Sequence, residues 1–385
     1  MSEAVNTETS ASFSDLGLSP ETLESVNKAG FETPTPIQIQ AIPILMTGED
    51  MIGQAQTGTG KTAAFALPLI ERVDPTDDNP QALVVCPTRE LAVQGAEAIY
   101  SLGRSQGVRV LPIYGGQPID RQLRGLRRGV QIVVGSPGRL LEHIRRGTLD
   151  LSHVSMAILD EADEMLDMGF VEEIELILNE LPEGRQIALF SATMPAPIAR
   201  LAEKYLHNPR RVAIAAAPQT IPQIHQRYYE VMPVHKLEAL TRILDMESPS
   251  SAIIFCRTKQ EVDDLGEHLR GRGYMAEGLH GDMSQAERDR TMQRFRQGQI
   301  DLLVATDVAA RGLDIESVTH VINYDIPWDA DSYTHRIGRT GRAGREGEAI
   351  TLVSPRERRQ LWSIERATGT RIKPVRLPTL ADIAA

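Results

Sequence analysis

The amino-acid sequence predicts two tandem α/β domains, each built on a doubly wound parallel sheet. Three observations predict it. The halves of the 385-residue chain match at a long fixed offset, each half alternates short aliphatic runs with longer helical patterns, and a glycine-rich loop stands between a strand and a helix early in the first half. The length agrees, since ~150 residues per domain suggests two or three units, each able to bury its own core.

At an offset of 170, Ala82-Leu-Val-Val-Cys86 falls on Ala252-Ile-Ile-Phe-Cys256, and Ile132-Val-Val-Gly-Ser136 on Leu302-Leu-Val-Ala-Thr306. Between them Gly115-Gly116 corresponds to His280-Gly281 at an offset of 165. A period this long points to two copies of one domain rather than a solenoid. The two cysteines, Cys86 and Cys256, are therefore equivalent positions and not partners.

Taken in order, Phe13 to Gln38 reads as a short helical preface. Met51-Ile-Gly, Ala82 to Cys86, Gln131 to Val134, Met156 to Leu159 and Ile187 to Phe190 read as buried parallel strands, with helices such as Glu90 to Leu102 and Val171 to Leu181 between them. In the second half the strands are Ala252 to Cys256, Asp301 to Ala305, His320 to Asn323 and Glu348 to Val353, followed by a helix from about Arg356 to Thr368. The expected organisation is a preface over 1–38, a first domain over 39–208, a linker over 209–222 where Ala215-Ala-Ala-Pro218 lacks any periodic pattern, a second domain over 223–370 and a tail over 371–385.

No apolar run approaches the ~18 residues of a membrane span, and the polar, acidic start does not read as a signal peptide. Two cysteines form neither a disulfide framework nor a four-ligand zinc site, so a cytoplasmic protein is expected. The formal net charge of −11 argues, taken alone, against a nucleic-acid binder. That charge is unevenly spread: residues 1–210 carry 17 basic and 28 acidic side chains, and residues 211–385 carry 24 of each. A local basic cleft is compatible with both numbers.

After the strand at Met51 comes Ala55-Gln-Thr-Gly-Thr-Gly-Lys-Thr62, a P-loop in its proper setting of strand, turn and helix. Glycines let backbone N–H groups approach phosphate oxygens, Lys61 reaches the β/γ-phosphates, and the Thr62 hydroxyl is a ligand for Mg²⁺. The first glycine of the usual pattern is Ala55 here. The strand ending at Leu159 delivers Asp160-Glu161-Ala162-Asp163 at its carboxyl edge, where α/β sheets bind ligands. Such a cluster equally suits a solvated helix start with an Asp cap; beside a P-loop it reads as Asp160 holding Mg²⁺ and Glu161 polarising the attacking water. Ser191-Ala-Thr193 places two hydroxyls at the same edge, where they are turn formers or a link from the hydrolysis site to something else.

Asp-Glu-Ala-Asp together with Ala-Gln-Thr-Gly-Thr-Gly-Lys-Thr resembles the DEAD-box family of ATP-dependent RNA helicases. Further motifs appear in the family's order. Gly30-Phe-Glu-Thr-Pro-Thr-Pro-Ile-Gln38 is similar to the Q motif, with Phe13 standing 17 residues before it as the family's isolated aromatic does. Pro87-Thr-Arg-Glu-Leu-Ala92, Gly115-Gly116 and Ser136-Pro-Gly-Arg139 resemble the first-domain RNA-contact motifs, with Ser136 where Thr is usual. Ile253-Ile-Phe-Cys-Arg257, Gln285 with Arg288, Ala305-Thr-Asp307, Ala310-Arg-Gly-Leu-Asp314 and His335-Arg-Ile-Gly-Arg-Thr-Gly-Arg342 complete the set. The resemblance implies two RecA-like domains, with ATP and Mg²⁺ as cofactors and RNA as partner.

Carried over by position, the nucleotide contacts are Phe13, Phe31, Gln38, Gln56, Thr57, Gly58, Thr59, Gly60, Lys61, Thr62 and Asp314. Gln38 pairs with the adenine edge through its amide and Asp314 with the ribose. Phe13 stacks on the base; the bland alternative makes it an anchor of the N-terminal helix, a task Phe31 can serve. The catalytic set is Lys61, Asp160, Glu161 and the arginine fingers Arg339 and Arg342, with Thr62 and Asp160 at the metal. Pro87, Thr88, Arg89, Gly116, Ser136, Arg139, Thr258, Gly281, Arg288 and Thr306 grip the RNA backbone, and Asp163, Ser191, Thr193, His335 and Arg336 couple the two activities. The helix after Pro137-Gly138 resembles the family's wedge, which bends one strand.

The implied function is RNA-stimulated ATP hydrolysis that drives local duplex unwinding and RNA–protein remodelling, on single-stranded or short duplex RNA without sequence preference. The alternative is an ATP-gated RNA clamp with little turnover, which the intact Glu161, Arg339 and Arg342 disfavour. The motifs look most like bacterial members, including the cold-shock and ribosome-assembly type, so ribosome-assembly or RNA-decay partners and a monomeric core are expected. Arg121, Arg124, Arg127 and Arg128 suit an RNA patch, but their helical spacing equally suits a solvated helix face, which is the reading preferred for them.

Overall fold

The computed structural model describes residues 11–56, 58–214, 224–310, 318–341 and 346–378. Thr57, Asp314, Arg342, much of the expected linker and part of the expected tail lie outside the described residues. The chain divides into two compact units between Ala217 and Pro218.

In the first unit the strands are β1 (Met51–Gln54), β2 (Ala82–Val85), β3 (Val110–Ile113), β4 (Ile132–Gly135), β5 (Met156–Leu159), β6 (Gln186–Ser191) and β7 (Arg210–Ala213). They form one sheet in the order β3-β4-β2-β5-β6-β1-β7, and every pairing is parallel. Helices cover both faces, which is why β2, β4 and β5 read as unbroken aliphatic runs. Ahead of the sheet stand a 3₁₀ turn (Phe13–Leu16) and the helices Pro20–Lys28 and Pro36–Thr47. The second of these begins with Pro36 at its first position and Thr35 as cap.

The second unit repeats the plan. Its strands are β8 (Ile224–Glu230), β9 (Ala252–Phe255), β10 (Ala276–Leu279), β11 (Leu302–Ala305), β12 (His320–Asn323), β13 (Gly347–Val353) and β14 (Lys373–Val375). Their order is β10-β11-β9-β12-β13-β8-β14, the first sheet's order with seven added to each number. The duplication read from the sequence is thus an architectural one. Cys86 and Cys256 are both buried, and each donates its backbone N–H at 3.0 Å to the last residue of the neighbouring strand, Gly135 or Ala305. Burial pushes both thiols well above the usual range, so neither is a reactive thiolate.

One finding differs from the expected organisation. Arg210–Ala213, assigned by sequence to the linker, pairs with β1 as an edge strand. Its residues are mostly exposed, so it carries no apolar signal.

Candidate active site

All strands of the first sheet are parallel, so their carboxyl ends form one edge, and each motif loop leaves from that edge. The P-loop follows β1, the acidic quartet β5, and Ser191-Ala-Thr193 the end of β6. Pro87-Thr-Arg follows β2, Gly115-Gly116 β3 and Ser136-Pro-Gly-Arg β4. Strand order sorts these into two groups: β5, β6 and β1 are neighbours carrying the phosphate-type motifs, and β3, β4 and β2 are neighbours carrying the others.

In the first group Gly60 caps the helix Lys61–Arg72 with φ 92°, a conformation open to glycine. A Cβ there would stand 2.6 Å from Gln38 Nε2, so the loop also lies too close to the helix Pro36–Thr47 for any side chain. Gln38 is buried; its Nε2 donates to Gly60 O at 3.1 Å, and its Oε1 accepts from Thr35 N–H at 2.9 Å. Gln38 therefore ties the P-loop to the N-terminal helices.

Lys61 Nζ donates to Glu161 Oε1 at 2.9 Å, both side chains being almost fully buried. Burial works against the Lys61 charge, but the carboxylates of Glu161, Asp160 and Asp163 outweigh it and hold the ammonium above the usual lysine range. Asp160 is pushed up to about 7, first by burial and then by the Glu161 carboxylate. Glu161 itself holds a left-handed backbone (φ 52°, ψ 52°), uncommon for a non-glycine residue, and its N–H donates to Asp160 Oδ1 at 3.0 Å.

Asp163 binds the β6 end. Its Oδ2 accepts from Thr193 N–H at 2.8 Å and from Thr193 Oγ1 at 2.9 Å, while its own N–H donates to Ser191 Oγ at 3.2 Å. The two hydroxyls of Ser191-Ala-Thr193 are thus fastened to the acidic quartet, beyond what a turn requires.

The two aromatics of the expected nucleotide set differ in exposure. Phe13 is 4% exposed and sits in the hydrophobic core, so its ring has no open face for a base. Phe31, 38% exposed, lies 6.3 Å from it centroid to centroid.

The second group is joined by a network that the motif reading missed. The Arg89 guanidinium lies 4.9 Å over the Tyr114 ring, and Tyr114 immediately precedes Gly115-Gly116, of which Gly116 has φ 77°. The Gln122 amide, 1% exposed, donates from Nε2 to Tyr114 O at 2.8 Å and to Gln117 Oε1 at 3.2 Å. Its Oε1 accepts from Arg139 Nη1 at 3.2 Å and lies 3.0 Å from His143 Nε2. Arg139 also donates to Gln117 O at 2.9 Å and pairs with Glu142 at 3.0 Å. Thr88 caps the helix Arg89–Gly103 by accepting from Leu91 N–H, and Ser136 holds the position before the helix Pro137–Arg145 without a side-chain cap bond. The signal in the sequence was a lone Gln on the apolar side of an Arg-rich helix.

In the second unit the equivalent edge carries Thr258 after β9, Gly281 after β10 and Thr306 after β11. Thr258 caps the helix Lys259–Gly271 as Thr88 caps its counterpart. Arg288 Nη2 donates to Ala309 O at 3.3 Å. Arg336 is buried: Nε and Nη2 grip Asp307 at 2.6 and 2.7 Å, and Nη1 donates to Asn323 Oδ1 and Asp325 O at 3.0 and 2.7 Å. This fork fixes the helix Ala330–Ile337 to the ends of β11 and β12. His335 and Arg339 line a small cleft beside it with Phe255 and Asp307.

Residues 35–201 match the DEAD/DEAH box helicase family, and residues 235–344 match the helicase conserved C-terminal domain. The DEAD-box ATP-dependent RNA helicase CshA of Geobacillus kaustophilus is 55% identical over 370 residues, covering 96% of this chain and 79% of that protein. The chain belongs to the DEAD-box helicases. The CshA of Bacillus subtilis is 52% identical over 370 residues, 96% of this DEAD-box chain and 75% of that one. Among solved structures, Saccharomyces cerevisiae Dbp5 bound to RNA and ADP BeF3 is 34% identical with a TM-score of 0.84, covering 97% of both chains. A DEAD box protein from Methanococcus jannaschii is 44% identical with a TM-score of 0.54, covering 94% of this DEAD-box chain and 99% of that one. Among the described residues no helix is long and apolar enough to cross a membrane.

Proposed function

We propose that this DEAD-box helicase is an ATP-dependent RNA helicase whose ATP hydrolysis is stimulated by RNA and drives local separation of short duplexes and remodelling of RNA–protein complexes. The supporting observation is the meeting of Lys61, Asp160, Glu161, Asp163, Ser191 and Thr193 at the adjoining ends of β1, β5 and β6.

The donor set fits Mg²⁺. An Asp160 pushed up by desolvation, crowded by two carboxylates and relieved by a single lysine is a site a hard divalent cation stabilises. The ion would be held by Asp160, Thr62 and substrate phosphates. When bound, Mg²⁺ supplies charge to the phosphate oxygens.

On this reading Gln56, Thr57, Gly58, Thr59 and Gly60 turn backbone N–H groups to the phosphates, and Lys61 leaves Glu161 for the β/γ-phosphates. Glu161, released, orients the attacking water. Gln38 reads adenine while bonded to Gly60, and Phe31 stacks on the base with Phe13 behind it. Arg339, and by sequence Arg342, add charge at the γ-phosphate, while Asp314 takes the ribose, so hydrolysis requires both units. Pro87, Thr88, Arg89, Gly116, Ser136 and Arg139 of one unit, and Thr258, Gly281, Arg288 and Thr306 of the other, hold the RNA backbone, which accounts for binding without sequence preference. Asp163, Ser191, Thr193, His335 and Arg336 pass the state of the nucleotide on to the RNA segments. The protein acts in the cytoplasm, its core monomeric.

The test is strand separation of a short RNA duplex with a labelled strand. ATP is expected to release the strand in wild type, and a Glu161→Gln variant is expected to bind RNA and ATP without repeated release. Full release without ATP, or undiminished turnover by the variant, overturns the reading.

A further inference from the structure

The helix Ile119–Arg127 follows the Gly115-Gly116 loop directly. At 100° per residue Arg121, Arg124, Arg127 and Arg128 share an arc of about 120°, and Gln122 and Leu126 lie on the other side. The structure follows that geometry: all four arginines are exposed and Gln122 is buried. None of the four guanidinium groups has a carboxylate partner among the described residues. Asp120 is the one acid on that side of the helix. Nearby, Arg109 pairs with Asp78 and donates to Arg128 O at 3.0 Å, so it fastens the helix end and adds no free charge. In a half that carries 17 basic and 28 acidic residues, this face is a local reversal of sign.

A solvated arginine face needs no fixed direction, but this one has it. Gln122 spends its amide on Tyr114 O, Gln117 and Arg139, so the helix is bolted to the Gly116 segment and to Arg139 at once. From Arg121 to Arg128 the arginines extend away from the Gly116 end over about 10 Å.

We infer that this arginine face is an auxiliary binding surface for RNA phosphates, continuing the core track past the Gly116 loop and engaging only RNA long enough to reach it. The inference rests on the reading of the Gly116 and Arg139 segments as RNA contacts. Arginine forks suit phosphate oxygens, and loose phosphate contacts carry no base information.

The experiment is a salt series of equilibrium binding by the full chain to fluorescein-labelled oligouridines, one short enough for the core alone and one several times longer. Three phosphate contacts at ~0.7 each mean that Arg121→Ala, Arg124→Ala and Arg127→Ala together lower the log–log salt slope for the long RNA by about 2. The short RNA keeps its affinity, and lysine at the same three positions keeps the long-RNA slope. An unchanged slope on the long RNA overturns the inference, as does an equal loss on both lengths. Arg89→Ala checks the underlying reading separately: it weakens the short RNA if the motif segments grip RNA, and leaves it unchanged if they do not.

Discussion

Lys61 Nζ and Glu161 Oε1, 100 residues apart in sequence, meet at 2.9 Å beneath the P-loop. The second unit repeats this pair without the loop. Lys236 begins the helix after β8 as Lys61 begins the helix after β1, and Asp325 stands two residues past β12 as Glu161 stands two past β5. Lys236 Nζ donates to Asp325 Oδ1 at 2.8 Å, also buried. The intervening Val231-Met-Pro-Val-His235 has no glycine, so the second pair lacks the glycine-rich loop that precedes the first.

That contrast gives the first prediction. Glu161→Gln keeps an acceptor for Lys61 but no carboxylate to orient water, so ATP binding should survive while single-turnover hydrolysis falls at least about 10²-fold. Near-normal hydrolysis in quench-flow would remove Glu161 from its role.

For the second pair the expectation is structural. Lys236→Met leaves the buried Asp325 carboxylate without its cation and with only the Arg257 N–H, costing about 3–5 kcal/mol in chemical denaturation, whereas the double change Lys236→Met with Asp325→Leu should regain much of it. A loss of ATPase with unchanged denaturation would contradict this.

The two aromatics should separate cleanly. Phe13→Ala empties a core site and should cost about 3–5 kcal/mol. Phe31→Ala should leave stability nearly unchanged and raise KM for ATP. The opposite assignment of effects, read by thermal melts and steady-state kinetics, would restore Phe13 as the stacking ring.

Arg336 and Arg339 differ in the same manner. Arg336→Lys cannot span Asp307, Asn323 and the Asp325 carbonyl together, so the second unit should lose a few kcal/mol and melt lower. Arg339→Ala should melt as wild type, bind RNA, and fail to hydrolyse ATP. Normal turnover by Arg339→Ala would refute its role at the γ-phosphate.

At Ser191 and Thr193, Ser191→Ala with Thr193→Val removes the hydroxyls that hold Asp163 while keeping the Thr193 N–H bond. Strand separation should fall much further than ATP hydrolysis. Equal losses in both assays would make these hydroxyls part of the hydrolysis site alone.

Much of this was legible in the sequence because the central strands are buried on both faces and spell unbroken aliphatic runs. The strands that escaped notice are β3, β7, β10 and β14, the four sheet edges, together with β8 beside one of them. Their buried residues are isolated among exposed or part-covered ones, as Val212 is in Arg210-Arg-Val-Ala213, and Lys373-Pro-Val375 has none, so no run of apolar side chains is required. Loop motifs were visible because phosphate chemistry demands particular residues at fixed spacing. Gln122 was not, since a single buried amide has no spacing to betray it, and the burial of Phe13 depended on packing that no motif records.

The account turns on RNA-stimulated hydrolysis. The most direct measurement is steady-state phosphate release at saturating ATP with and without single-stranded RNA, with single-stranded DNA of the same sequence as the control. The account predicts a low basal rate raised severalfold or more by RNA and little by DNA. A rate indifferent to RNA would contradict it.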